Sequence, residues 1–263
     1  MLDQLDHRLR GLANRVLRRK PAVMPIEEGP LAGMRLHLGG PSPYAGDYEP
    51  GLARALLRHA RPGQHVLDLG AHYGYFSLLL AKAVGPSGHV VAFEANPENA
   101  RLVRANVALN GMEDRVTVEQ AAIGGQDLAS VDLFAGRGGA SMEWTLSESF
   151  ATRESADAAR PDAVRTRMVT LDGYLAGRPP VSLIKMDIEG AEAEALPAAR
   201  TLLEQTRPTI VLEFHRDVAW PAIVALRDAD YRLEDLDGQP LDWPEGPDDA
   251  EYQFVALPAD GGP

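Results

Sequence analysis

The sequence predicts an α/β fold: an open, mostly parallel sheet with helices on both faces. Three observations predict it. Short apolar runs of strand length alternate with amphipathic runs of helical length from about residue 50 onward. The first two strand-like runs end in distinctive chemistry, a glycine turn after one and a carboxylate after the other. The composition suits a sizeable core: 263 residues, 45% hydrophobic and 24% charged.

The inventory of residues excludes several classes of function. There are 38 acidic and 26 basic residues, for a formal net charge of -12. Such a chain repels polyanions, so nucleic acid is not an expected partner. There is no cysteine, which removes disulfides, thiolate zinc sites and a cysteine nucleophile. No apolar run approaches the ~20 residues of a membrane span. The charged start lacks the apolar stretch of a signal peptide. A cytoplasmic location is expected.

Residues 1–20 carry Arg8, Arg10, Arg15, Arg18, Arg19 and Lys20 against Asp3 and Asp6. Leu2, Leu5, Leu9, Leu12 and Val16 fall on one stripe of a helix. This basic amphipathic helix and its linker, residues 1–44, precede a domain spanning 45–263. The helix is expected to pack on that domain or on a twin subunit, as a homodimer; a membrane-surface anchor is the competing reading. Pro21, Pro25 and Pro30 punctuate its exit.

Glu49 and Pro50 open the next helix, which carries Leu52, Ala55, Leu56 and Leu57. Residues 65–69 (HVLDL) form a buried strand, followed by glycines and a helical run over 75–84. Residues 89–94 (HVVAFE) form a second strand. Asn96-Pro97-Glu98 has the form of an N-cap with proline at the first helical position. Its helix runs to Asn110, where Gly111 suits the stop. Residues 116–118, 181–187 and 209–214 are further strands, with a helix starting near Ala191. Two late strands lie around residues 231–233 and 252–255. The stretch at about 124–163, glycine-rich at 136–141 and then rich in Ser, Ala and charge, predicts a lid or a surface insertion.

Ligands of such sheets bind beyond the carboxyl ends of the strands. The first strand leads into Asp68-Leu69-Gly70-Ala71-His72-Tyr73-Gly74. Two glycines permit unusual backbone angles and close approach of a ligand. His72 stands where a dinucleotide fingerprint needs glycine. Asp68 suits a ligand bearing donors better than a pyrophosphate. Glu94, ending the second strand, can accept hydrogen bonds from two ribose hydroxyls. Asn96 is explained by capping alone. Together these signals indicate an adenosine-containing cofactor with no phosphate site.

Asp187 and Glu213 close two later strands. Carboxylates there can take a proton from an attacking hydroxyl, or hold a divalent ion such as Mg2+ that acidifies it. No third ligand is evident, so the metal site stays unassigned. His215 is a candidate base. Equally, Glu213 can simply pair with Lys185, which shares a strand face with Asp187. Glu189 and Glu192 are expected in the first turn of a helix, where its positive end suits them.

Several blocks carry a family resemblance. They are 169–172 (VTLD), 184–192 (IKMDIEGAE), and Glu213-Phe214-His215. The turn 68–76, the segment 120–124 (QAAIG) and Tyr48-Glu49-Pro50 match as well. The chain resembles the FkbM family of class I S-adenosylmethionine-dependent methyltransferases over roughly residues 45–257. The resemblance implies a Rossmann-like seven-stranded methyltransferase sheet, mostly parallel with an antiparallel C-terminal hairpin. It implies S-adenosyl-L-methionine as cofactor, held by Glu49, Asp68, Gly70, Tyr73, Glu94, Asn96 and the Ala122-Ile123 segment near the adenine. Asp187 could orient the methionine amine of that cofactor. The implied reaction is methyl transfer to a hydroxyl of a small molecule, a sugar or natural-product intermediate. Residues 142–162 depart from the family pattern and put the acceptor in doubt. The competing functions are a nicotinamide-dependent oxidoreductase on a similar sheet and a non-catalytic cofactor-binding or interaction protein.

Overall fold

A computed structural model describes residues 23–37, 48–135, 144–146, 164–214, 220–246 and 253–260. The expected helix at 1–20, His215, and residues 136–143 and 147–163 of the expected lid lie outside them. Among the described residues, no helix is long and apolar enough to cross a membrane.

The chain begins with an antiparallel pair, β1 (Val23–Pro25) and β2 (Arg35–His37). Next come α1 (Pro50–His59), β3 (His65–Leu69), α2 (Tyr75–Val84), β4 (His89–Phe93), α3 (Pro97–Leu109) and β5 (Val116–Glu119). The short strands β6 (Ala122–Ile123), β7 (Leu128–Ala135), β8 (Trp144–Leu146) and β9 (Val164–Val169) follow. Then come α4 (Leu171–Leu175), β10 (Leu183–Met186), α5 (Glu192–Ala198), β11 (Thr209–Glu213) and α6 (Trp220–Asp228). The last strands are β12 (Tyr231–Glu234), β13 (Pro240–Leu241) and β14 (Gln253–Pro258).

The main sheet has the order β13-β12-β14-β11-β10-β3-β4-β5. Strands β3, β4, β5, β10 and β11 run parallel, whereas β14 is antiparallel to β11 and to β12. This is the expected sheet with one more strand than the seven implied. The addition is β13, two residues on the edge beside β12. It forms because Asp235 folds the chain back: its Oδ1 accepts the N–H groups of Asp237 (2.9 Å) and Gln239 (2.7 Å).

Strand periodicity divides the core into two layers. Val66, Val90, Leu183 and Val211 pack against Leu52, Leu56, Leu79 and Val103 of α1, α2 and α3. Leu67, Leu69, Ile184 and Leu212 pack on the opposite face with Leu196 and Ile223 of α5 and α6. The chain therefore places helices on both faces of the sheet.

Two features differ from the sequence reading. The stretch at 124–163 is not loop throughout: β7 and β8 join β9 and β6 in a second, four-stranded sheet of order β6-β9-β7-β8. The linker of residues 1–44 contains the β1–β2 pair, which docks on α3 through two amides one helical turn apart. Asn106 Oδ1 accepts the N–H of His37 (2.5 Å) and Asn110 Oδ1 accepts that of Arg35 (3.0 Å). Their amide groups donate back to the carbonyls of His37 (3.1 Å) and Arg35 (2.8 Å), so the helix imitates a strand edge.

Candidate functional site

The carboxyl ends of β3, β4, β10 and β11 bring the predicted residues together on one side of the sheet. Asp68 and Lys185 are direct partners in the parallel pairing of β3 with β10. Side chains two apart on a strand share a face, so Glu213 at the end of β11 and Asp187 just past β10 continue that face. It is the face covered by α1 and α2.

The turn after β3 is built on left-handed backbone. Gly70 has φ +77, His72 φ 52 and Gly74 φ 86. A Cβ built on Gly70 would overlap the carbonyl oxygen of Asp187, so only glycine lets the two strand ends lie this close. The N–H groups of Gly70 and Ala71 both donate to Phe93 O, at 3.0 and 2.9 Å. The Tyr73 carbonyl accepts from Asn106 Nδ2 (2.7 Å), and the Tyr73 ring stacks on His72.

Glu94 is buried beside this turn. Its Oε2 accepts the His72 N–H (2.7 Å) and its Oε1 accepts the Asn96 N–H (2.8 Å). Burial pushes its carboxyl up to about 7, despite the opposing pull of these two N–H groups. Each carboxylate oxygen keeps a lone pair for a further donor.

Asn96 is also buried, and its Oδ1 accepts from Glu98 N (2.8 Å) and Asn99 N (3.2 Å). It is the N-cap of α3, with Pro97 behind it as predicted. Asn96→Ala is expected to cost about 1 kcal/mol of stability. Urea unfolding checks this, and an unchanged midpoint would contradict the cap.

At the centre lies an ion cluster. Lys185 Nζ is 3.7 Å from Asp68 Oδ1 and 3.5 Å from Asp187 Oδ2. It donates to Gly70 O at 2.9 Å and Leu69 O at 3.3 Å. Asp68 is fully buried and accepts the Ser77 hydroxyl at 2.5 Å. Burial raises the Asp68 carboxyl, against the pull of Lys185. Burial alone would lower the Lys185 ammonium, but Asp187, Asp68, Glu49 and Glu213 together carry it above its ordinary value. Asp187 is partly exposed, and its Oδ1 is buried with no hydrogen-bond partner among the described residues.

The structure places the other candidates as follows. Glu49 precedes α1 in a left-handed conformation (φ 42), near enough to Lys185 to act on its charge. Tyr48 beside it packs edge-on against Tyr75 at 5.5 Å. Glu213 Oε2 accepts from Gln253 Nε2 (2.9 Å), a partner on β14 that only the sheet order supplies. Ala122 and Ile123 form buried β6, paired with Met168 and Val169. They follow β5 in the chain and belong to the second sheet. His215 lies outside the described residues.

One expectation gains no support and another is corrected. No group of three or more His, Asp or Glu side chains suited to a metal ion occurs among the described residues. The Lys185 ammonium sits 3.5 Å from Asp187 Oδ2, so the Asp187–Glu213 pair lends the Mg2+ reading no support. Glu189 is not in a helical first turn but precedes α5 with φ 54. Glu192 does open α5, but it is buried, and its Oε1 accepts the Ile188 N–H at 2.9 Å. Sequence reasoning missed Ser77 and the Asp68–Lys185 pairing. A polar serine in the apolar run 75–81 was the available signal for Ser77.

Comparison with known proteins adds the following. The family description "Methyltransferase FkbM domain" matches residues 68–233. Among curated relatives, an arsenite methyltransferase of Halobacterium salinarum is 45% identical over 53 residues, 20% of this chain and 14% of that protein. A catechol O-methyltransferase of Mycobacterium tuberculosis is 38% identical over 63 residues, 24% of this chain and 29% of that protein. The chain thus matches less than a third of the length of either relative. The crystal structure of methyltransferase FkbM from Methylobacillus flagellatus is similar with a TM-score of 0.48 and 18% identity, covering 74% of this chain and 44% of that one.

Proposed function

The chain belongs to the FkbM methyltransferase domain family, and from that premise we propose that it is an S-adenosyl-L-methionine-dependent O-methyltransferase. Its acceptor is a hydroxyl of a small molecule, a sugar or natural-product intermediate. The observation that carries the reading is Glu94. A buried carboxylate ends β4, oriented by two backbone N–H groups, beside a turn that Gly70 and Gly74 hold in left-handed conformation.

That arrangement fits the nucleoside end of the cofactor. Glu94 would accept the two ribose hydroxyls, and Asn96 keeps α3 in register behind it. Gly70 and Tyr73 would lie along the cofactor, with Asp68 buried behind the turn against Ser77 and Lys185, Glu49 above and the Ala122–Ile123 segment toward the adenine. Bound S-adenosyl-L-methionine supplies a methyl group already activated by its sulfonium. The chain's own work is then alignment of the acceptor and handling of one proton. Holding two reactants in line can provide a large part of the rate. Asp187 takes the proton of the acceptor hydroxyl, with Glu213 and His215 as supporting groups.

The Glu94 carboxyl, at about 7, makes affinity depend on pH. Only the ionised carboxylate accepts from both hydroxyls. Affinity for S-adenosylhomocysteine should therefore rise about tenfold from pH 6 to 8 and flatten above. Calorimetry across that range, with NAD as the comparison ligand, tests the reading. Flat affinity, or preferential binding of NAD, would overturn it.

A further inference from the structure

Lys185 has no role in the proton transfer just described, yet it is a buried charge tethered to two carbonyls and two carboxylates. A buried ammonium is unfavourable unless it is paired and its protons are satisfied. Its side chain is 3% exposed, and it lies 5.7 Å from the centre of the Phe76 ring. An ammonium has three protons to donate. Two are used on the carbonyls of Leu69 and Gly70, at the point where β3 becomes the glycine turn. The remaining charge lies between Asp68 on β3 and Asp187 beyond β10.

A simple counter-ion for Asp68 would need none of the contacts to the turn or to Asp187. Asp68 already has Ser77 on its other oxygen. Asp187 has no such second contact, although Oδ1 of Asp68 is likewise without a hydrogen-bond partner among the described residues. Asp187 Oδ1 has no hydrogen-bond partner among the described residues, and the ion pair at Oδ2 is what orients the carboxylate there.

We propose that Lys185 is a positioning residue: its ammonium ties the Asp187 carboxylate to the main chain of the Leu69–Gly70 turn. The reactive carboxylate and the cofactor turn are thereby held as one unit. The inference rests on the proposed function, which places cofactor and acceptor on these two groups. Lys185 itself touches neither.

The test separates positioning from charge balance. Lys185→Met alone leaves Asp68 buried without its cation, and loss of folding would carry no information. The informative variant is Asp68→Asn/Lys185→Met, which removes both buried charges, compared with Asp68→Asn alone. Two readouts are taken, the crystallographic conformation of Asp187 and calorimetric affinity for S-adenosylhomocysteine. In the double variant Asp187 should leave its present rotamer, and affinity should fall at least tenfold below that of Asp68→Asn. An unmoved Asp187 with affinity equal to Asp68→Asn would overturn the proposal. Should the methionine form fail to fold, Asp68→Asn/Lys185→Gln takes the same measurements with the same outcomes. Failure of the wild-type protein to bind S-adenosylhomocysteine would contradict the cofactor instead, and the Asp187 conformation would still decide the role of Lys185.

Discussion

Gly70→Ala is expected to cost about 4 kcal/mol or more, the range reached only by named structural insults. Two effects combine. The residue sits at φ +77, where a side chain is strained. Its new Cβ would overlap Asp187 O, a backbone atom that cannot swing away. Neither strand end is free to yield: Gly70 N is bonded to Phe93 O at 3.0 Å, and Asp187 N to Leu69 O at 3.2 Å. A loss of this size lowers the thermal midpoint by about 10 °C in a domain of this length. Gly85→Ala is the control, because Gly85 also has positive φ (+68) but nothing within 4 Å of its Cβ. It should cost less, about 1–3 kcal/mol, the strain of its backbone conformation alone. Equal losses in the two variants would mean that close approach of the strand ends is not what Gly70 provides.

Asp187→Asn should reduce turnover by about 10²–10⁴-fold, the contribution typical of a positioned general base. The amide keeps the shape of the side chain and removes its ability to take a proton. Affinity for S-adenosylhomocysteine should change far less than turnover, since the change lies at the acceptor end. Glu213→Gln and His215→Ala should give smaller losses of the same kind. The measurement is single-turnover transfer of labelled methyl to any acceptor that the wild-type protein methylates. Near-normal transfer by Asp187→Asn would remove it from the catalytic assignment.

Much of the fold was legible because its signals are local. The strands read at 65–69 and 89–94 are short apolar runs bounded by glycines and caps, and the structure has them at 65–69 and 89–93. Asn96-Pro97 marks the start of α3 through chemistry confined to four residues. The strand ends holding Asp68, Glu94, Asp187 and Glu213 could be picked out because an open parallel sheet puts its ligands there. Pairings across strands were not legible. Asp68 meets Lys185 only because β3 lies beside β10, and no local pattern states that order. Gln253 reaches Glu213 for the same reason. The β1–β2 pair escaped notice because three-residue strands among prolines have no periodicity to detect. Strand β9, with arginines at 165 and 167 on its exposed side, is continuous in sequence with a charged, alanine-rich stretch. Its alternation became meaningful only once β7 and β6 flanked it.

The central claim is that Glu94 holds the ribose of S-adenosyl-L-methionine. The most direct measurement is calorimetric titration of wild-type protein and Glu94→Ala with S-adenosylhomocysteine at pH 8, where the wild-type carboxyl is ionised. Hydrogen bonds to a charged group contribute about 1.5–3 kcal/mol, so the variant should bind about tenfold to a hundredfold more weakly. Equal affinities, with both proteins folded, would contradict the account.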